Sequence, residues 1–148
     1  MPDKLAILPM TMRHYGRVAA LWRECREITI GDSDGREDVR VFLRRNRGMS
    51  LVAMEGRRVV GVVLCGHDGR RGLLHHLAVA PSHRRRGLGR LLGERAQGAR
   101  RRAGIRKCWI LIFRGNRLAR RFWKAAGWME SANIVQAARV LRQTTTHT

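Results

Sequence analysis

The sequence predicts a single domain with a central mixed β-sheet and helices on both faces. Two observations predict this fold class. The spacing of the apolar residues switches along the chain between helical stripes and strand-like runs, in the order β-α-α-β-β-β-α-β-α-β. This order puts hairpins in the middle and a β-α-β crossover after them, as in mixed α/β and α+β sheets. The 148 residues, 44% of them apolar, suffice for one core.

The N-terminal third is predicted to hold one strand and two helices. Residues 5–8 form a short apolar run that ends at Pro9, which is typical of a strand. Thr11 is an acceptable N-cap for the first helix. The apolar stripe of that helix consists of Val18, Leu21, Trp22 and Cys25. After a loop over 31–35, a weaker stripe within 39–43 predicts a second helix.

The middle of the chain is predicted to form three consecutive strands. Apolar residues cover 51–54 and 59–65, and a Glu-Gly turn separates them, which is the pattern of a β-hairpin. A polar turn over 67–72 leads to the third strand, over 73–79, which is stopped by Pro81.

The C-terminal part is predicted to alternate helices and strands. An apolar stripe predicts a long helix over 88–103, and a near-continuous apolar run at 108–113 predicts a strand covered on both faces. Asn116 is placed as the N-cap of another helix, over 118–126. The run at 134–141 predicts a final strand.

The domain is expected to cover 1–143, and the polar tail over 144–148 is expected to be disordered. The chain has 31 Lys+Arg against 11 Asp+Glu, a formal net charge of +20. Such a surface attracts anions: nucleotides, nucleic acids, acidic proteins or anionic lipid. No apolar run reaches the ~18 residues of a membrane-spanning helix, and no signal peptide is evident, so we expect a cytoplasmic protein without a membrane partner.

No metal site is predicted. The three cysteines, Cys25, Cys65 and Cys108, lie far apart among apolar residues, and no CxxC pair occurs. They are interpreted as buried small hydrophobes, with one reactive thiol as the alternative. The histidines show no spacing typical of metal ligands.

A basic, glycine-containing loop over 84–89 (RRRGLG) links the third strand of the middle region to the long helix. Unpaired N–H groups at a helix N-terminus bind phosphate, and glycines let the backbone approach the anion. Arginines add charge-assisted hydrogen bonds. The loop is neither a Walker A loop nor a dinucleotide fingerprint. By itself it is either an anion site or a solvated basic turn that caps the helix.

The stretch over 76–92 resembles the acetyl-CoA motif of the GNAT superfamily of N-acetyltransferases. That motif is a strand ending in Leu-x-Val-x-Pro, followed by Gln/Arg-x-x-Gly-x-Gly/Ala at the start of a helix. Its three signature positions are filled by Arg84, Gly87 and Gly89. Downstream, the stretch from Asn116 to Trp128 is similar to the family's second motif, Asn-x-x-Ala-x-x-Phe/Leu-Tyr-x-x-x-Gly-Phe. The resemblance implies a GNAT-like mixed sheet of about six or seven strands flanked by about four helices.

The resemblance also implies a site for acetyl-CoA as co-substrate, in a gap where the parallel strands at 73–79 and 108–113 splay apart. Backbone groups at the end of the first strand would pair with the pantetheine arm, and N–H groups of the basic loop would hold the pyrophosphate. Two side chains of the second motif would lie beside the pantetheine and the thiol. The implied cofactor-binding residues are Leu77, Ala78, Val79, Arg84, Arg85, Arg86, Gly87, Leu88, Gly89, Arg90, Asn116 and Phe122.

In this family the amine attacks the thioester carbonyl directly, without an acyl-enzyme. The protein positions the reactants, polarises the carbonyl, accepts the amine proton and protonates the leaving thiolate. The tyrosine that commonly protonates the thiolate is replaced by Trp123, whose indole N–H does not titrate usefully. The alternative to a role of Trp123 in the reaction is packing in the core, on the apolar stripe of its helix.

The base is open among His75, His76 and water. Strand alternation predicts His75 on the face of Leu73, Leu77 and Val79, and His76 on the opposite face. An imidazole that titrates near neutral pH is a sensible base, so His75 is the catalytic candidate, as base or proton relay. The alternative is that both histidines only pack.

The sequence therefore predicts an N-acetyltransferase that uses acetyl-CoA and acts on a primary amine of a small molecule or a protein. One acidic cluster is present in this basic chain, and it consists of Asp32, Asp34, Glu37 and Asp38. It either meets the cationic amine or caps a helix. The alternatives are a basic module that binds nucleic acid or the ribosome, and a CoA-binding protein that has lost catalysis. Monomer and homodimer both stay open.

Overall fold

The computed structural model contains a five-stranded sheet in the order β1-β2-β3-β4-β5. It describes residues 4–25, 28 and 30–142. The strands are β1 (Leu5–Pro9), β2 (Leu51–Glu55), β3 (Arg58–His67), β4 (Arg71–Val79) and β5 (Lys107–Ile110). The first four strands pair antiparallel, whereas β4 and β5 pair parallel. The sheet is mixed, as the sequence predicts.

Four α-helices accompany the sheet in the part of the chain that is described. They are α1 (Tyr15–Glu24), α2 (Arg36–Arg45), α3 (Leu88–Arg102) and α4 (Arg117–Ala125). The chain divides into two compact units, Met1–Leu111 and Ile112–Thr148. The first unit holds the whole sheet with α1, α2 and α3, and the second holds α4.

The two faces of the sheet are covered by different helices. A Cβ atom built at Gly61 would lie 2.9 Å from Leu92 of α3, whereas one at Gly66 would lie 2.9 Å from Phe42 of α2. Because 61 and 66 are an odd number of residues apart on β3, they point to opposite faces. The prediction of helices on both faces is therefore confirmed. The completely buried core includes Val18, Trp22, Val39, Val52, Val60, Val62, Val63 and Leu92.

The predicted final strand is wrong. The described residues of 134–141 belong to no strand, and large side chains there are exposed, such as Val135 (89%) and Leu141 (92%). Apolar content favours a strand, but a strand also needs a hydrogen-bonding partner, and none of the described strands pairs with this segment. The sheet consequently has five strands and not six or seven. The tail predicted over 144–148 lies outside the described residues.

Candidate functional site

β4 extends beyond its parallel partner. The ladder with β5 begins at Arg71 and Lys107 and ends at Leu74 and Ile110. β4 continues to Val79 and remains paired with β3 on its other side. Among the described strands, none covers the second side of residues 75–79. We call these residues the open edge of β4. An uncovered edge presents backbone N–H and C=O groups to a partner.

A β-bulge interrupts β4 where the open edge begins. The register with β3 passes from Leu64 opposite His75 to Val62 opposite Ala78, so that two residues of β4 oppose one of β3. One of the two, His76, has a φ of 48°. This left-handed conformation is uncommon for residues other than glycine. Bulges re-aim side chains and are over-represented next to active sites.

The bulge changes the faces on which the β4 side chains lie. The His75 ring packs against Phe42 of α2, with 6.0 Å between centroids, and the His76 ring packs against Trp22 of α1, at 5.2 Å. The two imidazole centroids are 6.3 Å apart, which is too close for opposite faces of a sheet. The prediction that His76 faces away from His75 is therefore wrong. The extra residue of the bulge reverses the alternation, which a regular strand pattern cannot anticipate.

Val79 is also on a different face from the one predicted. It pairs with Gly61, whose Cβ position points to α3. Directly opposite residues of an antiparallel pair share a face, so Val79 lies on the α3 side of the sheet. His75 lies on the α2 side, next to Phe42. The bulge between the two residues accounts for this difference as well.

The His76 imidazole is held by Asp34, which lies in the loop between α1 and α2. Nε2 of His76 is 2.9 Å from Oδ2 of Asp34, and the side chains are 22% and 12% exposed. The same carboxylate oxygen accepts the Gly31 N–H at 2.7 Å, and the Tyr15 hydroxyl donates to the Asp34 carbonyl at 2.8 Å. Burial would raise the pKa of Asp34, but the hydrogen bonds from His76 and Gly31 lower it below its ordinary value. Asp34 is consequently a carboxylate at neutral pH.

His75 has a less polar environment than His76. It makes no hydrogen bond within the described part of the chain, and its ring packs against Phe42. Burial lowers the pKa of His75, and positive charge on His76 lowers it further, while Asp34 opposes these effects. His75 is therefore a neutral imidazole at neutral pH.

The basic loop carries the chain from the open edge to the N-terminus of α3. Arg85 and Gly87 both have left-handed backbone angles, with φ of 64° and 77°. α3 starts at Leu88 with Gly87 as its N-cap, so the cap has no side chain to satisfy the first N–H groups. The first turn contains no acidic residue. These N–H groups and the helix dipole form an anion-binding arrangement.

Arg84 connects the loop to the open edge. Its Nε donates to the Val79 carbonyl at 3.1 Å, and its Nη2 donates to Sγ of Cys25 at 3.6 Å. The Cys25 thiol donates to the same Val79 carbonyl at 3.6 Å. The start of the loop is anchored by the buried His83, whose Nε2 is 2.8 Å from a carboxylate oxygen of Glu55 on β2. The predicted cofactor residues of the first unit are thus continuous in space.

A family model described as the acetyltransferase (GNAT) family matches residues 16–128. The chain belongs to the GNAT acetyltransferase family. The matched range contains the bulge, the open edge and the basic loop, so the resemblance of the two motifs is confirmed.

A curated relative of this GNAT protein is also named an acetyltransferase. Acetyltransferase SG1711 of Sodalis glossinidius is 31% identical over 83 residues, which are 56% of this chain and 58% of that protein. The matched stretch thus spans little more than half the length of this curated relative.

Solved GNAT structures share the fold. The PaiA N-acetyltransferase of Thermoplasma acidophilum in complex with coenzyme A has a TM-score of 0.74 at 15% identity, covering 84% of this chain and 89% of that one. AAC(6')-Iy in complex with a bisubstrate analogue, CoA-S-monomethyl-acetylneamine, has a TM-score of 0.73 at 19% identity, covering 93% and 99%.

The second unit of the GNAT protein contains the residues of the second motif. Oδ1 of Asn116 accepts the Ala119 N–H at 3.1 Å, which confirms Asn116 as the N-cap of α4. The rings of Phe122 and Trp123 meet edge to face, with centroids 5.0 Å apart. Trp123 is 8% exposed and also packs against Trp128 at 5.3 Å. Trp123 is thus a packing residue of this unit, which is the role that core packing gave it in the sequence analysis.

Sequence reasoning missed Arg100 of α3, which contacts β4 next to the end of its ladder with β5. Its side chain is completely buried, and Nη1 donates to the Leu73 carbonyl at 3.0 Å. A Cβ atom at Gly72 would lie 2.7 Å from Cδ of Arg100, so the glycine makes room for the guanidinium. The available signal was the position of Arg100 four residues after Ala96 on the apolar stripe of α3.

Other side-chain chemistry is sparse. Cys25 and Cys65 are buried and Cys108 is half-buried, and none of these three described residues is part of a disulfide. Burial raises the pKa of Cys65 to about 12, which keeps it a thiol. The described residues contain no cluster of three or more metal-ligating side chains. A search of these residues likewise finds no helix that is long and apolar enough to cross a bilayer.

Proposed function

We propose that this GNAT protein is an acetyl-CoA-dependent N-acetyltransferase that acts on a primary amine. The observation that carries the proposal is the direct continuity of two features. The open edge of β4 can pair with an extended amide-bearing chain, and the loop that follows it presents uncapped helix N–H groups and arginines to an anion. Acetyl-CoA combines these two chemistries in one molecule.

The residues present fit acetyl-CoA as co-substrate. Backbone groups of Leu77, Ala78 and Val79 would pair with pantetheine, and the segment from Arg84 to Arg90 would hold the pyrophosphate. A Cβ atom at Gly87 would meet nothing within 4 Å, so the backbone there is open to approach. The Val79 carbonyl already accepts hydrogen bonds from Arg84 and from the Cys25 thiol, so the pairing with pantetheine is proposed through the other backbone groups of this segment. For Asn116 and Phe122, in the second unit, a role in cofactor binding stays a prediction from the second family motif.

The proposed chemistry is direct attack of the amine on the thioester. His75 and His76 lie at the bulge of β4 and have titratable side chains. One of them is the proposed proton acceptor or relay. Trp123 supplies no titrating proton, so the leaving thiolate takes its proton from solvent or another group. A protein without a dedicated general acid can still catalyse the transfer, at a lower rate than a protein with a tyrosine at this position.

The acceptor is proposed to enter from the side of the loop between α1 and α2. This loop contains the acidic cluster of a strongly basic protein. Two of its members already have partners: Asp34 binds His76, and Glu37 binds Arg40 in an exposed ion pair. Asp32 and Asp38 are the remaining carboxylates that could meet an ammonium group. A cytoplasmic location, where acetyl-CoA is supplied, and a homodimer are part of the same proposal.

Thermal unfolding with and without acetyl-CoA tests the proposal, with ATP and tRNA as anion controls. A ligand that binds only the folded state raises the unfolding midpoint by mass action. We expect acetyl-CoA to raise the midpoint well beyond ATP. Equal effects of the two would reduce the loop to a general anion site, and a response to tRNA alone would favour the nucleic-acid module.

Two-substrate kinetics test the direct attack. Initial rates are measured while acetyl-CoA and a reactive amine are varied together. A direct transfer requires both substrates on the protein at once and gives intersecting reciprocal plots. Parallel plots would indicate an acyl-enzyme and contradict the proposed route.

A further inference from the structure

We propose that His76 and Asp34 form the proton-accepting pair for the acceptor amine, with His76 taking the proton and Asp34 orienting it. The inference rests on the proposed function, because it concerns the same reaction. It names His76 where the sequence favours His75, and it gives Asp34 a defined role within the acidic cluster. Three observations support it: the position of the bulge, the hydrogen bonding of His76, and the environment of His75.

The first observation is the position of the two histidines. The β4–β5 ladder closes at Leu74 and Ile110, and His75 and His76 follow immediately. A co-substrate anchored at the basic loop and paired along Val79 and Leu77 runs back toward this closed end. Its reactive end is therefore the part that arrives at the bulge, where His76 lies.

The second observation is the tautomer of His76. Nε2 lies 2.9 Å from a carboxylate oxygen of Asp34. A carboxylate only accepts hydrogen bonds, so Nε2 must carry the hydrogen, and Nδ1 of the neutral ring is left with a lone pair. Nδ1 makes no hydrogen bond to the described residues. The ring is thus fixed as a base, and the carboxylate behind it stabilises the positive charge that forms.

The third observation is that His75 lacks such an arrangement. It makes no hydrogen bond to a described residue, and its nearest ring neighbour is the apolar Phe42. Asp34 and His75 are both neighbours of His76. Of the two imidazoles, His76 is the one that a carboxylate orients.

The backbone at His76 agrees with a functional role. Its φ of 48° is held while the ring is fixed between Asp34 and Trp22. A strained residue persists where its surroundings over-determine it, and such residues cluster at functional sites.

In the proposed step, the acetyl group passes from the CoA sulfur to the amine nitrogen. The amine nitrogen forms a bond to the acetyl carbonyl carbon, and the carbon–sulfur bond of the thioester then breaks. One proton of the amine passes to Nδ1 of His76 and from there to solvent. The CoA thiolate takes one proton from solvent, so the products are the N-acetyl amine and CoA thiol.

The test combines activity with a measurement on the free protein. His76→Gln, His75→Gln and Asp34→Asn are compared with wild type, and Asp68→Asn, in the β3–β4 turn, is the control. Acetyl transfer is assayed as CoA thiol release with three amine probes: a peptide with a free α-amine, a lysine peptide and a polyamine. Long-range ¹⁵N–¹H spectra of ¹⁵N-histidine-labelled protein report the tautomer of His76 without any ligand.

We expect His76→Gln to lower kcat/KM by about 100-fold or more, the range of general-base catalysis, with acetyl-CoA affinity almost unchanged. His75→Gln should lose less. Asp34→Asn keeps a hydrogen-bond acceptor but removes the charge. Its kcat/KM should therefore fall as well, because no carboxylate stabilises the charge that forms on His76 during the reaction. Asp68→Asn should match wild type, and the spectra should show the Nε2–H tautomer.

Two results would overturn the inference alone: transfer by His76→Gln with the wild-type rate and pH profile, or a free protein in which Nδ1 of His76 carries the hydrogen. A wild-type protein that binds acetyl-CoA but acetylates none of the probes would count against the pair as a catalytic device. A wild-type protein that does not bind acetyl-CoA would overturn the proposed function instead.

Discussion

The two halves of β4 lie in one strand but have different surroundings. Residues 71–74 are hydrogen-bonded to β3 on one side and β5 on the other, and the buried Arg100 donates to the Leu73 carbonyl. Residues 75–79 are paired with β3 alone and begin with a bulge. The first half is held in the sheet from both sides, whereas the second has no neighbouring strand other than β3 among the described residues. The length of β5 thus decides which part of β4 is paired on both sides.

The largest expected effect comes from removing the side chain that supports the bulge. Trp22 is 1% exposed and packs against the His76 ring. Trp22→Ala should lower the free energy of unfolding by about 3–5 kcal/mol, because it leaves a large cavity. Urea unfolding measures this change. Trp109→Ala, at a 42% exposed site on β5, is the matched control and should cost much less; equal losses would contradict the assignment of Trp22 to the core.

The next effect breaks the paired half. A Cβ atom at Gly72 would lie 2.7 Å from Cδ of Arg100 and 2.8 Å from Sγ of Cys108. Gly72→Val should therefore destabilise the protein by about 1–3 kcal/mol through overpacking. Gly98→Ala, in α3, is the control. Its Cβ would meet only Nη1 of Arg102, at 3.5 Å, so it should stabilise the helix by roughly 0.5–1 kcal/mol. A stable Gly72→Val protein would show that this close packing is not required.

A third change, in the basic loop that follows the open edge, is expected to affect ligand binding and not stability. Arg86 is exposed in the basic loop. Arg86→Ala should weaken acetyl-CoA binding about tenfold, the loss of one charge-assisted hydrogen bond, and leave urea unfolding unchanged. Calorimetric titration measures the affinity. Arg101→Ala, at the other end of α3, controls for net charge; a similar loss there would mean that the ligand responds only to the overall field.

The smallest effect concerns pH. The pKa of Asp34 is lowered in the folded protein, so its carboxylate stabilises the fold above the ordinary value of 3.8, and this stabilisation is lost as the pH falls below it. Wild type should therefore exceed Asp34→Asn in stability at about pH 5, and the difference should shrink at about pH 3. Urea midpoints at the two pH values measure it. A difference that is constant with pH would show that the hydrogen bonds to the Asp34 carboxylate add nothing to stability.

The sequence predicts the elements well and their irregularities poorly. The stripes and runs locate the helices and five strands, and the two motifs identify the family and the basic loop, because these signals are local. The bulge at His76 depends on the register between β3 and β4, so alternation misplaces that side chain. The contact of Asp34 with His76 joins residues far apart in the chain, and the composition of 134–141 does not show whether a partner strand exists.

We propose that acetyl-CoA binds along residues 75–79 of β4, which pair with β3 alone among the described strands. Residue-resolved amide hydrogen exchange, with and without acetyl-CoA, tests it most directly. We expect slower exchange in 75–79 and 85–90 and no change in 72–74, which are already paired on both sides, and ATP should protect the loop alone. Protection by acetyl-CoA that is confined to the loop, or that ATP reproduces throughout, would contradict it.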